Sequence, residues 1–253
     1  SATVTIADND NAAASINADL SVTTQGKEDG PVDIVYKVTL AKTNNTGSAI
    51  TFDLTRDSGS ATSGSDFTAI PSGAKISVAN GASTGTFTVA VTQDALVEST
   101  ETLVAKIANP SDAAIKVNTA TATANITDND SSALTISAND ASAAETATNN
   151  GQFSVDLGAV NNTGAAVVVS YTVSGTATAT GDYGALSGTV SVAAEAQTAT
   201  IDVAGIVDDT LFENNETVIV TLTGTNHSGF TASNSPSATV TIADNDNAAA
   251  SIN

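Results

Sequence analysis

The stretch SATVTIADND at residues 237–246 alternates Ser and Thr with Ala, Val and Ile, and then ends in a run of Asp and Asn. Alternation with a period of two predicts a β-strand with one buried face, and the polar run predicts a loop after it. The same letters open the chain at residues 1–10, and the phrase Ile-x-Asp-Asn-Asp returns at residues 126–130. This pattern indicates the closing strand of a β-module that the chain repeats.

Two levels of repetition organise the chain. Residues 1–17 and 237–253 are identical, so we expect the parent protein to repeat a long block. Within the block, Asp-x-x-x-Glu-x-x-Glu occurs at residues 94–101 and again at 209–216. These repeats predict four segments: residues 1–10 as the last strand of a preceding repeat, 11–130 and 131–246 as two modules, and 247–253 as the start of the next repeat.

Each module is predicted to consist of short strands separated by Gly, Asn and Asp clusters. In the first module the runs lie near residues 32–40, 50–54, 75–78, 86–91, 103–107 and 121–126. In the second they lie near residues 133–137, 152–157, 166–173, 188–192, 198–203, 217–222 and 238–242. The predicted fold class is all-β, with two tandem immunoglobulin-like, seven-stranded antiparallel β-sandwiches. Residues 143–147 are predicted to form one turn at most.

The composition excludes several classes of function. The chain has 27 acidic and 7 basic residues and a net charge of −20, which argues against nucleic acid and membrane surfaces as partners. Cysteine is absent, and no apolar run is long enough for membrane insertion. His227, the single histidine, is predicted to lie in a solvated loop. With no nucleophile motif or phosphate loop, we predict that the protein is not an enzyme.

Many of the acidic residues fall in loops just before or after a predicted strand. Since the loops of a sandwich gather at its two ends, distant carboxylates are expected to converge. Two carboxylates about 5 Å apart repel by roughly 3 kcal/mol at an effective dielectric constant near 20, so a cluster favours a bound cation. Ca²⁺ accepts about 6–8 oxygen ligands in flexible geometry, and the number of carboxylates predicts more than one ion per module.

The order of these motifs resembles the Calx-beta family, known from sodium–calcium exchangers and from tandem repeats in large bacterial, adhesin-like (RTX-type) surface proteins. The order is a loop Glu, then Gly-x-Asp-Tyr/Phe, then Asp-x-x-x-Glu-x-x-Glu, then a closing Val-x-Ile-x-Asp-x-Asp. The resemblance covers both modules and implies a multi-calcium cluster at one end of each sandwich.

Carried over to this sequence, the resemblance implies one set of metal ligands per module. In the first module they are Glu28, Asp66, Asp94, Glu98, Glu101, Asp128 and Asp130. In the second they are Glu145, Asp182, Asp208, Asp209, Glu213, Glu216, Asp244 and Asp246. Gln93 stands where the second module has Asp208, so the first site is expected to hold fewer ions or to bind them more weakly.

We therefore predict calcium-binding extender repeats of a secreted bacterial surface protein, stiffened by calcium where neighbouring repeats meet. Two alternatives remain open. One is an adhesive or carbohydrate-binding module, although the chain has no Trp and only three Tyr. The other is a calcium-sensing regulatory domain. Residues 1–7 duplicate a closing strand without its module, so they are expected to be loosely held or to associate end to end with a neighbouring molecule.

Overall fold

The computed structural model describes residue 4, residues 15–146 and residues 149–246 of the chain. The chain divides into two compact units. The first unit extends to Asp94 and includes Thr100–Asn129, and the second comprises Ala95–Ser99 and the chain from Asp130 onward. Apart from Val4, the predictions for residues 1–10 and 247–253 lie outside the described residues. The division into modules at residues 130 and 131 stays a prediction.

Nine strands lie in the described part of the first unit. They are β1 Ile16–Thr24, β2 Gly26–Lys27, β3 Ile34–Leu40, β4 Ile50–Ser58, β5 Lys75–Val78, β6 Thr84–Val89, β7 Glu101–Ala108, β8 Ile115–Thr119 and β9 Thr121–Thr127. A four-stranded sheet has the order β6-β3-β1-β8, and a five-stranded sheet has the order β2-β9-β7-β4-β5. The long strand β1 was not among the predicted runs, although Ile16, Ala18, Leu20 and Val22 alternate with polar residues along it.

The second unit repeats this plan. Its strands are β10 Ser132–Ala133, β11 Thr135–Asp140, β12 Ser142–Ala144, β13 Gly151–Asp156, β14 Val167–Gly175, β15 Thr189–Val192, β16 Thr198–Val203, β17 Glu216–Thr225, β18 Phe230–Thr231 and β19 Ser237–Ala243. The sheets are β11-β13-β16, β10-β18 and β12-β19-β17-β14-β15. The all-β sandwich prediction is confirmed. Of the described residues 143–146, Ala143 and Ala144 belong to a strand, because β12 pairs with β19, and Glu145 and Thr146 turn.

Each core is built by alternation along the central strands. In β3, with the sequence IVYKVTL, every second side chain from Ile34 to Leu40 is buried, and the Tyr36 hydroxyl donates to the Leu103 carbonyl at 2.7 Å. In β13 the buried side chains are Phe153 and Val155. Burial of aliphatic and aromatic side chains stabilises each sandwich, at about 1.5–3 kcal/mol for each large side chain.

Candidate metal centre

In the second unit, parallel pairing of β12 with β19 brings two acidic loops together. Ala144 lies opposite Ala243, so the residues that follow, Glu145 and Asp244, leave the sheet side by side. The Glu145 backbone N–H also donates to the Ala243 carbonyl at 3.1 Å. The closing strand therefore positions its own acidic residues against an early loop that is about 100 residues away in the sequence.

The first acidic group consists of Glu145, Asp244 and Asp246, whose carboxylate oxygens lie within 4.8 Å of one another. Glu145 is buried, with 5% of its surface exposed. The Asp246 backbone N–H donates to Asp244 Oδ1 at 2.9 Å, which folds the closing loop back on itself. Asp246 Oδ2 is buried and has no hydrogen-bond partner among the residues that the structure describes, so this oxygen is available to a cation.

The second acidic group consists of Asp182, Glu213 and Glu216, again with carboxylate oxygens within 4.8 Å of one another. Glu216 is the first residue of β17 and lies opposite Ile242 of β19, close to the closing loop. The Glu213 backbone N–H donates to Asp244 Oδ2 at 2.9 Å. Asp244 therefore connects the two groups.

Burial and mutual repulsion raise the pKa of several of these carboxyls. Glu216 has its pKa raised from 4.5 to about 7, chiefly by burial, then by a hydrogen bond with Asp182 and by the negative charges of Asp182, Glu213 and Glu145. Burial, followed by neighbouring acids, also raises the pKa of Glu145, Glu213 and Asp246. Such a site favours a positive charge.

Asp244 behaves differently from its neighbours. Backbone N–H groups of Asp246 and Glu213 donate to its carboxylate and lower its pKa. One member of the cluster is thus held ionised by the backbone while those around it resist ionisation. A carboxylate fixed in this way is a pre-oriented ligand.

Asp208 and Asp209 lie at the exposed rim of the site. Asp208 Oδ1 accepts from Asn245 Nδ2 at 3.1 Å, and Asp209 Oδ1 accepts from the Leu211 backbone N–H at 2.6 Å. The negative charge of Asp209 contributes to the raised pKa of Glu145, so it acts on the same site. All eight carboxylates predicted for the second module therefore belong to the two acidic groups or act electrostatically on their members.

The first unit contains the matching pairs. Parallel pairing of β2 with β9 sets Glu28 beside Asp128, and the Glu28 backbone N–H donates to the Thr127 carbonyl at 3.1 Å. Asp66 is buried, lies within 4.8 Å of Asp94 through carboxylate oxygens, and accepts from the Thr62 backbone N–H.

The other predicted ligands of the first module have these positions. Glu101 is the first residue of β7 and lies opposite Ile126, in the same register as Glu216 opposite Ile242. Glu98 lies in the segment Ala95–Ser99, and Asp130 begins the C-terminal part of the chain. Both segments belong to the second compact unit.

Gln93 occupies the position that corresponds to Asp208. Its Nε2 donates to the Asp94 carbonyl at 3.0 Å and to Asn129 Oδ1 at 3.2 Å. In the second unit the corresponding pair is Asp208 with Asn245, where the carboxylate accepts. The hydrogen bond to the Asn side chain is kept in the first unit, but one negative charge is lost because Gln93 is neutral. This loss is the physical reason for expecting the first site to bind calcium more weakly.

Two features of the site were not predicted from the sequence. Gly59 and Gly175 have φ values of 119° and 124°, which turn the chain sharply at the ends of β4 and β14. The backbone N–H of Thr178 then donates to Asp182, as that of Thr62 does to Asp66. A spacing signal was present in the sequence, because each Gly lies seven residues before the Asp of Gly64-Ser65-Asp66-Phe67 or of Gly181-Asp182-Tyr183.

Other sequence interpretations concern packing. Phe67 and Tyr183 are buried and pack in the cores of the first and second unit. His227 lies in a loop, as predicted, but its ring is half-buried and packs 5.8 Å from the ring of Phe230. Asn161, in a formal glycosylation motif, has no exposed surface, and its Nδ2 donates to the Ala165 carbonyl at 2.8 Å. This amide is committed to the fold.

Comparisons with known proteins follow this geometry. The sequence signature of the Calx-beta domain matches the chain twice, over residues 23–130 and 128–246. A search against characterised protein sequences gives no match.

The chain is similar to several solved structures. One is CBD12 from CALX1.2, at 16% identity and a TM-score of 0.39, covering 85% of this chain and 83% of that one. Another is the calcium binding domain CBD12 of CALX1.1, at 16% identity and a TM-score of 0.37, covering 81% and 80%. A third is the Escherichia coli adhesin FdeC, at 16% identity and a TM-score of 0.38, covering 90% of this chain and 63% of that one.

Across the described ranges 15–146 and 149–246, no helix has the length and apolar character needed to span a membrane.

Proposed function

Because the chain belongs to the Calx-beta domain family, we propose that its modules, residues 11–130 and 131–246, are calcium-binding structural repeats. The observation that carries the proposal is the double acidic group of the second unit, in which the buried Oδ2 of Asp246 has no hydrogen-bond partner within residues 15–146 and 149–246. Burying carboxylate oxygens without a donor or a cation is costly, so a ligand of positive charge is expected there.

Ca²⁺ suits these donors better than other common metals. The donors are oxygens, and neither His nor Cys contributes to either group, which disfavours Zn²⁺. Mg²⁺ requires a strict octahedron and retains water, whereas Ca²⁺ accepts about 6–8 oxygens in flexible geometry. Glu145, Asp244 and Asp246 would hold one ion, and Asp182, Glu213 and Glu216 another, with Asp244 near both.

The bound ions would act mechanically rather than chemically. They would link the closing loop after β19 to the loops before β13 and β17. Repulsion between the carboxylates would then give way to coordination of a shared cation. Asp128 and Asp130 close the first module in the same way. We propose that such repeats serve as extenders of a secreted bacterial surface protein, where calcium outside the cell is plentiful enough for weak sites.

The first test is a thermal melt in EDTA, in millimolar Ca²⁺ and in millimolar Mg²⁺. At free calcium of 100 times the dissociation constant, each independent site stabilises by about 2.7 kcal/mol, which raises the melting midpoint by several degrees. We expect the rise to be specific to Ca²⁺. An equal midpoint in EDTA and Ca²⁺ would show that the acidic groups are solvated turns.

A matched pair of variants makes the test site-specific. Asp244→Asn removes the carboxylate that connects the two groups, and we expect it to abolish most of the calcium-induced rise of the second unit. Glu195→Gln removes an exposed carboxylate of the same unit outside both groups and should leave that rise unchanged. Equal loss in the two variants would indicate a nonspecific effect of net charge.

A further inference from the structure

The first unit has a cavity of about 690 Å³ where β3 ends and where β1, β4 and β8 begin. Its lining is mixed, and polar residues that include Lys42, Asn44 and Asp112 surround the apolar side chains of Ile16, Leu40, Ile50 and Ile115. Its volume falls within the range of about 300–1,000 Å³ that is usual for ligand pockets. The acidic pairs follow the opposite ends of the strands, so the cavity is separate from the candidate metal centre.

The second unit has a position that corresponds to this cavity, and one equivalent backbone hydrogen bond marks it in each unit. In the first unit, the Ile16 backbone N–H donates to the Ala114 carbonyl at 2.9 Å. In the second unit, the Ser132 backbone N–H donates to the Gly229 carbonyl at 2.8 Å. Ala114 and Gly229 are therefore structural counterparts at this pole of the sandwich.

Within the second unit this position is filled by Val97. Its side chain is only 1% exposed and belongs to the core cluster of that unit. A Cβ on Gly229 would lie 2.5 Å from Val97 Cγ1, so glycine is required by the close approach. Nearby, Ser99 Oγ donates to the Thr163 carbonyl at 3.1 Å. The short segment with Val97 and Ser99 lies inside the Asp-x-x-x-Glu-x-x-Glu motif at residues 94–101. It completes this end of the second sandwich.

The sequence repeat identifies the counterpart of that segment. Aligning the two Asp-x-x-x-Glu-x-x-Glu motifs sets Leu211 in the place of Leu96 and Phe212 in the place of Val97. Leu211 is 61% exposed and Phe212 is 63% exposed, although both are large and apolar. Among the described residues, this apolar segment of the second unit is exposed, and the first unit has a cavity at the position that Val97 fills in the second unit.

We propose that Leu211 and Phe212 of one copy of this chain dock into the cavity of the first unit of a second copy. The contact is heterologous, because the two surfaces differ, and it extends head to tail rather than closing as a symmetric dimer. Of the charged residues that line the cavity, Lys42 is complementary to Asp209 and Glu213, which flank the segment, and Asp112 is not. The proposal goes beyond calcium binding and rests on the apolar residues and the cavity.

A single segment in one cavity is a small interface, and small interfaces associate weakly, so covalent trapping is the most sensitive test. The chain has no cysteine, which makes engineered pairs unambiguous. The double variant Ala114→Cys with Phe212→Cys places its thiols at the counterparts of Gly229 and Val97. Those two residues approach each other closely in the second unit. Under mild oxidation we expect disulfide-linked dimers, trimers and longer products, formed at least tenfold faster than in the control.

The control combines Ala114→Cys with Val173→Cys. Val173 is also an exposed apolar residue of the second unit, at 37% exposure, but it lies in β14 away from residues 209–216. The single variant Phe212→Cys is limited to disulfide dimers. Equal rates of multimer formation in the two double variants would overturn the proposal.

Sedimentation velocity supplies a second readout without cysteines. We expect the weight-average sedimentation coefficient to rise with protein concentration, and Phe212→Asp to remove that rise while Val173→Asp preserves it. A rise that Phe212→Asp leaves unchanged would contradict the proposal. The calcium-dependent melt of Phe212→Asp distinguishes failure of the association proposal from failure of the calcium proposal. The melt reports calcium binding whether or not copies associate.

Discussion

At the scale of residues, Glu216 is the carboxyl most affected by the acidic site. It begins β17 and lies among Asp182, Glu213 and Glu145, and its pKa is raised to about 7. Its pKa in the unfolded chain is near 4.5, so the folded state binds a proton more readily between these values. Without calcium, this group stabilises the fold most below about pH 4.5, and that contribution is lost as the pH rises through about 7.

Glu216→Gln tests this linkage. In EDTA at pH 7.5, the substitution removes a repelled charge, and we expect it to raise the free energy of unfolding by about 1 kcal/mol after allowance for solvent screening. At pH 5 the wild-type carboxyl is largely protonated, so the difference should shrink towards zero. Urea unfolding of both proteins at the two pH values measures the effect.

The control and the calcium arm separate this explanation from others. Glu195→Gln, outside both acidic groups, should change the stability by the same small amount at both pH values. In saturating Ca²⁺ the advantage of Glu216→Gln should reverse, because a ligand has been lost. A stabilisation that is independent of both pH and calcium would show that repulsion at Glu216 is not its cause.

At the scale of elements, the ends of β4 and β14 determine where the acidic turns begin. Gly175 ends β14 at φ 124°, and an added Cβ would lie 2.0 Å from the Thr217 carbonyl oxygen of β17. Gly59 has the same role in the first unit, with the Thr102 carbonyl oxygen at 2.2 Å. Each glycine lets one strand pass close to its neighbour and deliver Asp182 or Asp66 to the site.

Gly175→Ala is therefore expected to destabilise the second unit strongly. The added methyl group must displace a backbone carbonyl, which costs about 1–3 kcal/mol beyond the strain of a positive φ. Gly164→Ala is the matched control, since Gly164 has φ 74° and no atom within 4 Å of the added Cβ. Chemical denaturation measures both variants, and equal losses would mean that backbone strain alone explains the effect.

At the scale of the whole molecule, a net charge of −20 is distributed over two units of similar plan. Carboxylates at the closing loops repel one another until cations neutralise them. The extender role predicts that calcium reduces the range of arrangements between neighbouring modules. The relevant carboxylates, Asp128 and Asp130, follow the last strand of the first module.

Small-angle scattering in EDTA and in millimolar Ca²⁺ tests this prediction. We expect the maximum dimension to become better defined and the distribution of distances to sharpen when calcium is added. Asp128→Asn should reduce the change, and Glu195→Gln should preserve it. Scattering profiles that are identical with and without calcium would contradict stiffening, even if the thermal melt shows that calcium binds.

The fold class and the repeated plan follow from the amino-acid sequence alone, which also marks the acidic residues of the candidate site. Alternation in stretches such as residues 34–40 and 237–243 is sufficient because a half-buried strand imposes a period of two on its side chains. Recurrence of the Asp-x-x-x-Glu-x-x-Glu motif then marked residues of the site. These are local patterns, so they can be read without knowing which strands pair.

How those residues combine depends on contacts between strands that are far apart in the sequence. Pairing of β12 with β19 brings Glu145 to Asp244, and the raised pKa of Glu216 depends on burial and on Asp182. The exposure of Phe212, against the burial of its counterpart Val97, is equally invisible in the sequence. Contacts between residues far apart in the chain depend on register and on what packs alongside, and a local pattern encodes neither.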